Sequence, residues 1–428
     1  MNVLLIGLGG RESALAHKIS QSSTLDKFFI APGNPGTEKY GENVSIEVSD
    51  FSAVSDFCKK SEIELVVVGP EQPLVDGIAD YLRNKNIVVF GPDARAAEIE
   101  AHKSFAKSLL KKYEIPTADF VEFDYTQQEE ALNYLKHIPY PCVIKADGLA
   151  AGKGVLICNN FPEVSSAIEE VFVHKVFGAS GEKIIVEEFM RGEELSVFAI
   201  TDGKDFVCLP SSQDHKRIGD NDTGKNTGGM GAYSPAPIGT KELLEEVEEK
   251  IILPTIKALN KEGRKFIGCL YAGLMITDDG PKVVEFNCRF GDPEAQAVLP
   301  LLEGDFLKLL YSAASGKLDK SVINNSGGCA ICVVAASKGY PEEFQKGYTI
   351  TGLELIDNNE IFVYQAGTTR KNNNIVTNGG RVLGITAVSG NNDLKTAQSK
   401  AYEALKKIHF TDIYYRKDIA AKAFKHLK

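Results

Sequence analysis

The chain begins with a repeated arrangement that strongly limits its fold: an apolar run ends in Gly or Pro, and a helical pattern follows. Such runs occur at 2–6, 28–31, 65–68 and 87–90. Buried parallel strands joined by crossover helices produce this alternation. The first hundred residues are therefore predicted to form an open parallel sheet with helices on its faces.

Composition limits the cellular context and the partners. The 428 residues are 43% hydrophobic and 25% charged, as in globular proteins of roughly two to four domains. A net charge of −10 gives no overall field that would collect nucleic acid or anionic lipid. No apolar run approaches the roughly 18 residues of a membrane helix. We therefore predict a cytoplasmic protein with small-molecule partners and no nucleic-acid or membrane partner.

The eight Cys have no framework spacing, which is typical of reduced thiols. One C-x-x-C pair, Cys329 and Cys332, lies in an apolar segment with strand character. Residues three apart on a strand point to opposite faces, so the pair is predicted to be two packed thiols and no metal site.

The turn after the first strand, Gly7 to Gly10, presents backbone N–H groups at a helix start, where a phosphate can bind. A dinucleotide fingerprint needs a third Gly where Glu12 stands, which argues against a nicotinamide oxidoreductase. The residues leave a structural turn and a phosphate site equally open. Similar turns at 32–34 and 69–71 favour a site at this edge of the sheet.

Two later segments carry nucleotide-like chemistry. The strand–loop–strand VIKADGLAAGKGV contains Lys145 and Lys153 but lacks the Walker A spacing. It could close over a triphosphate or form a surface hairpin. The strand exit at 187–189, followed by Glu194, is suited to an adenine edge and a ribose, although this signal is weak.

The segment KVVEFNCRFGDPEAQ holds the strongest local pattern. Glu285 and Asn287 are two apart on a predicted strand, so their oxygens share one face and suit a hard cation such as Mg²⁺. Arg289 follows as a carboxylate binder. The alternative is a β-bulge with surface ion pairs. The stretch 211–237 is rich in Gly and polar residues and is predicted to be irregular. Within it, the charged run Asp214 to Arg217 is either a solvated charge run or an anion contact.

These segments together resemble the glycinamide ribonucleotide synthetase (phosphoribosylamine–glycine ligase) family of the ATP-grasp superfamily. The resemblance runs in order along nearly the whole chain, through IGLGGRESALA, APGNPGT, VGPEQPLVDG, VIKADGLAAGKGV, SSQDHKRIGDNDTGKNTGGMGAYSPAP, EFNCRFGDPEAQA and YYRKDIA. It implies an α/β protein with an N-terminal open parallel-sheet domain at 1–102, a central ATP-grasp domain at 103–320 with a lid at about 118–190, and a small C-terminal α/β domain at 325–428.

The implied reaction joins 5-phosphoribosylamine, glycine and ATP to give glycinamide ribonucleotide, ADP and phosphate through glycyl phosphate, in purine (IMP) biosynthesis. The implied cofactors are ATP and Mg²⁺ or Mn²⁺, and the family resemblance implies a monomer. The N-terminal domain would bind the phosphate of the ribosylamine. The rival activities are another ATP-grasp carboxylate–amine ligase and a non-catalytic nucleotide-binding protein.

The resemblance also implies site residues at matching positions. The metal ligands would be Glu285 and Asn287, and the catalytic groups Arg289, Asp292 and Lys216. The ATP contacts would be Lys103, Lys145, Lys153, Glu187, Glu188, Phe189 and Glu194. The substrate contacts would be Gly9, Gly10, Asn34, Glu71, Asp214, Gly291 and Pro293. Two departures stand out: Ser13 replaces the usual His of the first turn, and His102 precedes Lys103 where the family has Ser.

Overall fold

The computed structural model describes residues 1–150, 154–356 and 359–427. Its N-terminal sheet is parallel, as predicted, with strand order β3-β2-β1-β4-β5. The strands are β1 Asn2–Gly7, β2 Lys27–Pro32, β3 Glu42–Asn43, β4 Leu65–Val68 and β5 Val89–Phe90. The helices are α1 Gly10–Ile19, α2 Phe51–Lys60, α3 Glu71–Val75, α4 Ile78–Arg83, α5 Ala94–Ala101 and α6 Lys103–Lys112.

The carboxyl ends of the central strands meet at one edge of this sheet. Strands β1 and β4 are buried along their whole length because helices cover both faces. The glycine turns that follow β1 and β4 therefore lie side by side, where open parallel sheets bind ligands.

A second sheet is antiparallel, has the order β6-β9-β7-β8, and carries its own apolar core. We call it the lid sheet. Its elements are β6 Phe120–Asp124, α7 Gln128–Leu135, β7 Cys142–Ala146, β8 Val155–Cys158, α8 Phe161–Ile168 and β9 Lys183–Glu188. Strands β7 and β8 enclose the loop with Lys145 at its start.

The central sheet has the order β11-β10-β16-β17 and is antiparallel. Its strands are β10 Glu193–Thr201, β11 Phe206–Cys208, β16 Gly268–Thr277 and β17 Gly280–Asn287. The helices that follow or pack beside it are α9 Lys241–Val247, α10 Leu253–Lys261, α11 Glu294–Val298 and α12 Phe306–Ala314. A π turn at Glu248–Ile252 joins α9 to α10 into one long helix.

The fourth sheet, here the C-terminal sheet, has the order β12-β15-β20-β24-β21, and β25 pairs with β20. Its elements are β12 Gln213–Asp214, β15 Gly231–Ser234, β20 Cys329–Ser337, β21 Ile361–Gln365, β24 Arg381–Ser389, α13 Leu394–Leu405 and β25 Ile413–Tyr414. Three hairpins complete the chain: β13 Arg217–Gly219 with β14 Thr223–Asn226, β18 Leu302–Gly304 with β19 Ile323–Asn325, and β22 Thr368–Lys371 with β23 Asn374–Thr377.

The prediction of an irregular stretch at 211–237 is wrong, because four short strands lie there. Strand β15 pairs with β20 from Gly231 opposite Val333 to Ser234 opposite Ala330. Strands of two to four polar or glycine residues have too little alternation to be recognised locally. Strand β15 is ordered by a partner about a hundred residues further along the chain, β12 by β15, and β13 and β14 by each other.

Cys329 and Cys332 lie on β20, are fully buried and are not bonded to each other. Burial raises the pKa of each thiol to about 12. The prediction of two packed thiols is confirmed. Among the residues with described positions, no cluster of three His, Cys, Asp or Glu could hold a metal ion. In the same part of the chain, no helix combines the length and apolar character that a membrane crossing requires.

Candidate active site

The candidate site lies where β17 and the turn after it meet the carboxyl edge of the N-terminal sheet. The Arg289 Nε donates to Glu71 Oε2 at 3.0 Å, and Glu71 begins α3 directly after the β4 turn. The Nη2 of the same guanidinium is 3.0 Å from Glu100 Oε1 on α5. Arg289 therefore ties the central sheet to two elements of the N-terminal sheet.

Glu100 is buried in this ion network, Arg289 and Glu71 are half-buried, and the charges of the three depend on one another. Burial alone would raise the pKa of Glu71, but Arg289 and Arg11 lower it to about 2. Burial raises the pKa of Glu100, although Arg289 opposes the shift. The Glu100 carboxylate also accepts the backbone N–H of Cys288 at 2.7 Å. The alternative prediction was a β-bulge with ion pairs at the surface. The ion pairs of Arg289 are not at the surface, so this part of the alternative is wrong.

A bulge is nevertheless present, and it shapes the candidate cation site. Gly273 pairs with Glu285 but Leu274 pairs with Val283, so Val284 is the extra residue of β17. Its carbonyl is turned to accept the Lys145 ammonium at 3.0 Å. Beyond the bulge, Glu285 and Asn287 are again two apart along the strand and share one face.

Glu285 and Asn287 have the donor chemistry of a hard-cation site. Within the described part of the chain, neither side chain makes a hydrogen bond or an ion pair to protein. Burial alone would raise the pKa of Glu285, but the nearby charges of Lys216, Lys145, Lys103 and Arg289 lower it. The site thus offers an ionised carboxylate and an amide oxygen, too few to hold Mg²⁺ without water and phosphate oxygens.

Two of the three lysines predicted at the phosphates can be located. Lys145 extends from β7 to Glu187 Oε2 at 2.9 Å, and Lys103 Nζ donates to the Gly148 carbonyl at 3.0 Å. Both therefore flank the start of the β7–β8 loop. Burial lowers the pKa of Lys103, although Glu285 opposes the shift. Lys153 lies outside the described residues.

Asp147 caps the start of helix α6. The helix begins at Lys103, and His102 provides no side-chain cap. Instead, Asp147 accepts the Ser104 N–H at 2.6 Å and lies 3.2 Å from His102 Nδ1. The Asp147 carboxylate, which belongs to the β7–β8 loop, caps the helix, so the position of Lys103 is coupled to that loop.

The predicted adenine segment is the last part of β9. The Glu187 carboxylate is buried between Lys145 and Lys107, 3.3 Å from the latter, so only its backbone is available to a ligand. Glu188 is exposed and accepts the Asp119 N–H at 3.2 Å. Phe189 follows with 36% of its surface exposed, an open apolar surface beside the strand end.

Glu194 and Lys216 form an ion pair of 2.6 Å that joins β10 to the segment between β12 and β13. Burial alone would lower the pKa of Lys216, but Glu194 and Asp214 raise it well above the ordinary value. The expectation of a solvated charge run at Asp214 to Arg217 is therefore wrong for Lys216, which is held in the site.

Asp214 is buried, and no described residue donates a hydrogen bond to its carboxylate. Glu294 lies nearby at the start of α11 and accepts the Tyr271 hydroxyl at 3.0 Å. Burial, opposed by Lys216 and supported by Glu294, raises the pKa of Asp214 to about 8. An unpartnered carboxylate beside a second carboxylate is well suited to accept an ammonium group.

The glycine turn after β1 is filled by a protein carboxylate. Glu12 is buried, and its Oε2 accepts the Gly9 N–H at 2.6 Å. A Cβ at Gly7 or Gly69 would overlap the Glu12 side chain, so these glycines make room for it. Glu12 thus occupies the position over β1 and β4 that a dinucleotide pyrophosphate would need, which strengthens the argument against a nicotinamide cofactor.

Asn34 and Ser13 are taken up by protein contacts. The Asn34 amide donates to the Leu8 carbonyl at 2.7 Å, to Ser13 Oγ at 3.0 Å and to the Gln365 carbonyl at 2.9 Å. Its Oδ1 accepts the Gly36 N–H at 2.8 Å. Ser13, at the family's usual His position, therefore helps to join α1 to the C-terminal sheet. Because the Asn34 side chain is used in these contacts, only its backbone is left for the predicted ligand contact, which stays a prediction.

Asp292 joins three parts of the molecule. Its Oδ1 accepts the Gln296 amide at 2.8 Å and lies 3.3 Å from Arg381 Nη1 on β24. Burial alone would raise the pKa of Asp292, but Arg381 and Arg11 lower it. A Cβ at Gly9 would lie 3.5 Å from its Oδ2, so the glycine turn is adjacent. The flanking Gly291 and Pro293 pack against Glu294 and Gly229.

Several residues of the site were not predicted from the sequence. Glu100 and Glu294 are buried and Arg381 is half-buried, and all three are charged and close to predicted site residues. Glu294 directly follows the predicted Gly-Asp-Pro turn, so its neighbours could have indicated it. Glu100 and Arg381 lie in an ordinary helix and strand, and no local signal marks them.

Family models match almost the whole chain. The phosphoribosylglycinamide synthetase N domain matches residues 1–100, the ATP-grasp (A) domain of the same family matches 101–295, and its C domain matches 330–422. The predicted ATP-grasp fold is therefore confirmed.

Individual proteins give the same result. The chain is 48% identical over 98% of its length to all of a phosphoribosylamine–glycine ligase from Caldanaerobacter subterraneus subsp. tengcongensis. It is 34% identical to the crystal structure of the Thermotoga maritima phosphoribosylamine–glycine ligase, with a TM-score of 0.83 and coverage of 98% of this chain and all of the other.

A more distant structure shares the fold alone. The biotin carboxylase domain of 2-oxoglutarate carboxylase from Hydrogenobacter thermophilus, solved with MgADP, is 16% identical with a TM-score of 0.75 over 97% of this chain and 91% of that chain. The full-length matches at 34–48% identity, together with the three domain models, show that the chain belongs to the phosphoribosylglycinamide synthetase family.

Proposed function

We propose that the protein is a phosphoribosylamine–glycine ligase that joins 5-phosphoribosylamine and glycine at the expense of ATP, in purine biosynthesis. The observation that carries the proposal is a set of buried or half-buried oxygen acceptors at Asp214, Glu285 and Asn287, for which the described residues provide no hydrogen-bond donor. Lysines and arginines surround them. Such a site can bind an ammonium group, a metal cation and anionic phosphates together. Glycine provides the ammonium group, and ATP with its divalent cation provides the other two.

Glycine would be held at both of its charged ends. Its ammonium would bind Asp214 with Glu294 nearby, and its carboxylate would face Lys216 and the Arg289 guanidinium. The carboxylate oxygen then attacks the γ-phosphorus of ATP. That O–P bond forms as the bond to the bridging oxygen of ADP breaks, and glycyl phosphate results.

In the second step, the amino nitrogen of the ribosylamine attacks the glycyl carbonyl carbon. The C–N bond forms, the C–O bond to phosphate breaks, and the nitrogen loses one proton. Positioning and charge stabilisation by Arg289 and Lys216 account for this step without a dedicated base. The β7–β8 loop and the lid sheet would exclude water, which otherwise hydrolyses the acyl phosphate.

ATP-grasp enzymes use ATP with a divalent cation, and we propose Mg²⁺, with Mn²⁺ as a substitute. Glu285 and Asn287 would hold it, because they provide hard oxygen donors that protein groups leave free. When bound, the cation supplies charge neutralisation of the phosphate oxygens. Lys103, Lys145 and Lys153 would bind the phosphates, the 187–189 backbone the adenine and Glu194 the ribose. Gly9, Gly10 and Glu71 would face the ribosylamine, and the Gly291 to Pro293 turn would orient glycine.

The organisation around the site is part of the proposal. We infer three domains at 1–102, 103–320 and 325–428, supported by family-model matches at 1–100, 101–295 and 330–422. We also propose a monomer in the cytoplasm. Sedimentation of the purified protein at micromolar concentration would test the monomer.

The reaction is tested by ADP release from the purified protein with ATP and Mg²⁺. We expect ADP formation to need both glycine and freshly generated phosphoribosylamine. With glycine alone, ATP labelled with ¹⁸O in the β–γ bridge should scramble its label, because glycyl phosphate forms reversibly. ADP release with another amino acid in place of glycine would transfer the assignment to a different ATP-grasp ligase.

The raised pKa of Asp214 predicts a pH dependence. Only the ionised carboxylate binds an ammonium, and the free Asp214 carboxyl has a pKa of about 8. We therefore expect kcat/KM for glycine to fall by about tenfold per pH unit below that value. Asp214→Asn should give a low and pH-independent kcat/KM. A wild-type profile that is flat from pH 6 to 9 would contradict the role of Asp214.

A further inference from the structure

The segment Tyr414 to Lys422, here the C-terminal clamp, packs on the segment that carries Asp214 and Lys216. It contains the YYRKDIA sequence, to which the proposed reaction assigns no role. Arg416 in its centre has a side-chain exposure of 0%. A side chain without solvent exposure cannot reach a bound substrate, so its charge must serve another purpose.

Arg416 bonds both to the segment 213–226, here the active-site hairpin, and to Asp418 within the clamp. Its Nη1 donates to the Arg217 carbonyl at 3.0 Å and to Asp222 Oδ1 at 2.8 Å. Its Nε and Nη2 donate to the two carboxylate oxygens of Asp418 at 2.8 and 2.7 Å. The planar guanidinium thus fixes the hairpin to the clamp with a geometry that a lysine cannot reproduce.

Further contacts run along the same boundary. The Asn221 N–H donates to Asp418 Oδ2 at 2.8 Å, and the Lys417 N–H donates to Asp220 Oδ1 at 2.8 Å. The Tyr414 hydroxyl donates to the Ile218 carbonyl at 2.8 Å. The outer part of the hairpin is therefore held by the clamp through both backbone and side-chain groups.

The inner part is held through His215. Its buried Nε2 accepts the Ala420 N–H at 3.0 Å. Ala420 has φ +71°, a left-handed conformation that costs a non-glycine residue energy and is retained where surrounding contacts fix it. Because side chains alternate along an extended segment, His215 facing the clamp turns Asp214 and Lys216 to the opposite side, toward the site.

We propose that Arg416 is a positioning residue, which sets Asp214 and Lys216 for substrate by fixing the active-site hairpin to the C-terminal clamp. The inference rests on the proposed function, since it takes glycine as the substrate that Asp214 and Lys216 bind. Lys216 must stay 2.6 Å from Glu194 while Asp214 stays free of protein partners, and neither residue has a regular helix or long strand to hold it.

The test compares Arg416→Ala and Arg416→Lys with wild type, and uses Arg370→Ala as the control. Arg370 forms an exposed ion pair with Glu38, far from the clamp in sequence. We expect Arg416→Ala to lower kcat/KM for glycine by about 10- to 100-fold, since displacements near 1 Å have such effects. MgADP affinity should change less than about threefold, because the bonds of Arg416 described above go to the hairpin and to Asp418 and none of them goes to the adenine segment. Guanidinium ion at tens of millimolar should restore part of the rate, and Arg416→Lys should be intermediate.

Hydrogen exchange separates this proposal from the proposed function. In Arg416→Ala the amides of the active-site hairpin should exchange faster, while those of the lid sheet stay unchanged, and this result needs no substrate. Unchanged exchange in the hairpin, or a loss of activity that follows only the unfolded fraction without guanidinium rescue, would overturn the role of Arg416. If wild type makes no ADP from glycine and ribosylamine, the proposed function fails, and exchange still decides whether Arg416 holds the hairpin.

If Arg416→Ala does not fold, Asp222→Asn provides the same comparison, since it weakens one side of the contact and leaves Arg416 bound to Asp418. We then expect a smaller fall in kcat/KM for glycine, with faster exchange confined to the hairpin. Wild-type exchange and wild-type kinetics in Asp222→Asn would contradict the proposal.

Discussion

Glu285→Gln should lower kcat by at least about 100-fold while the fold remains intact. The change keeps the shape of the side chain and removes the only carboxylate of the proposed cation pair, and the charge of a metal ligand is worth several kcal/mol in the transition state. Because the Glu285 carboxylate has no protein hydrogen bond in the described part of the chain, its replacement leaves no partner unsatisfied. ADP release and the urea unfolding midpoint would be measured together.

Glu245→Gln is the matched control, since Glu245 pairs with Lys241 on an exposed helix. It should be as active as wild type. Nucleotide titration adds a second readout: Mg²⁺ should strengthen ADP binding to wild type and have little effect on binding to Glu285→Gln. Turnover of Glu285→Gln within about threefold of wild type would remove the metal assignment.

Arg289→Met should lower the free energy of unfolding by about 3–5 kcal/mol, because it leaves the buried carboxylate of Glu100 without its partner. Burial already raises the pKa of Glu100 with Arg289 present. Without Arg289 the pKa rises further, so the penalty is complete only above that folded-state pKa. It disappears below the unfolded-state pKa, where Glu100 is protonated in both states.

The loss should therefore be larger at pH 8 than at pH 5, as measured by urea unfolding at both values. Arg289→Met combined with Glu100→Gln should recover about 1–2 kcal/mol at pH 8, because the uncompensated charge is gone. Arg370→Met, which breaks an exposed pair, should cost at most about 1 kcal/mol. Equal losses in the Arg289 and Arg370 variants would show that the network contributes no more than a surface contact.

The local patterns of the sequence were sufficient for most of the fold. The strand at Leu65–Val68 lies where its apolar run predicts it, and Asp393 caps helix α13. The Asp393 carboxylate accepts the N–H groups of Lys395 and Thr396, which is a short-range signal. Such signals involve neighbours within a few residues and are therefore readable without a tertiary structure.

The same holds for part of the candidate site. The spacing of Glu285 and Asn287 indicated a shared face, and the structure keeps that face free of protein partners. The bulge that turns the Val284 carbonyl toward Lys145 was not predictable, because it depends on the register between β16 and β17. Strands β12 and β15 were likewise missed, since β15 pairs with the distant strand β20 and β12 pairs with β15.

The sequence by itself determined the parallel N-terminal sheet, the order of the chemical segments and the family, because each depends on local patterning or on motifs. Only the tertiary structure decided which charges meet. Arg289 pairs with Glu100 nearly two hundred residues earlier in the chain, and Arg416 pairs with Asp222 at a slightly larger separation. The physical reason is that a buried charge is tolerated only beside a partner, and the identity of that partner depends on how distant segments pack.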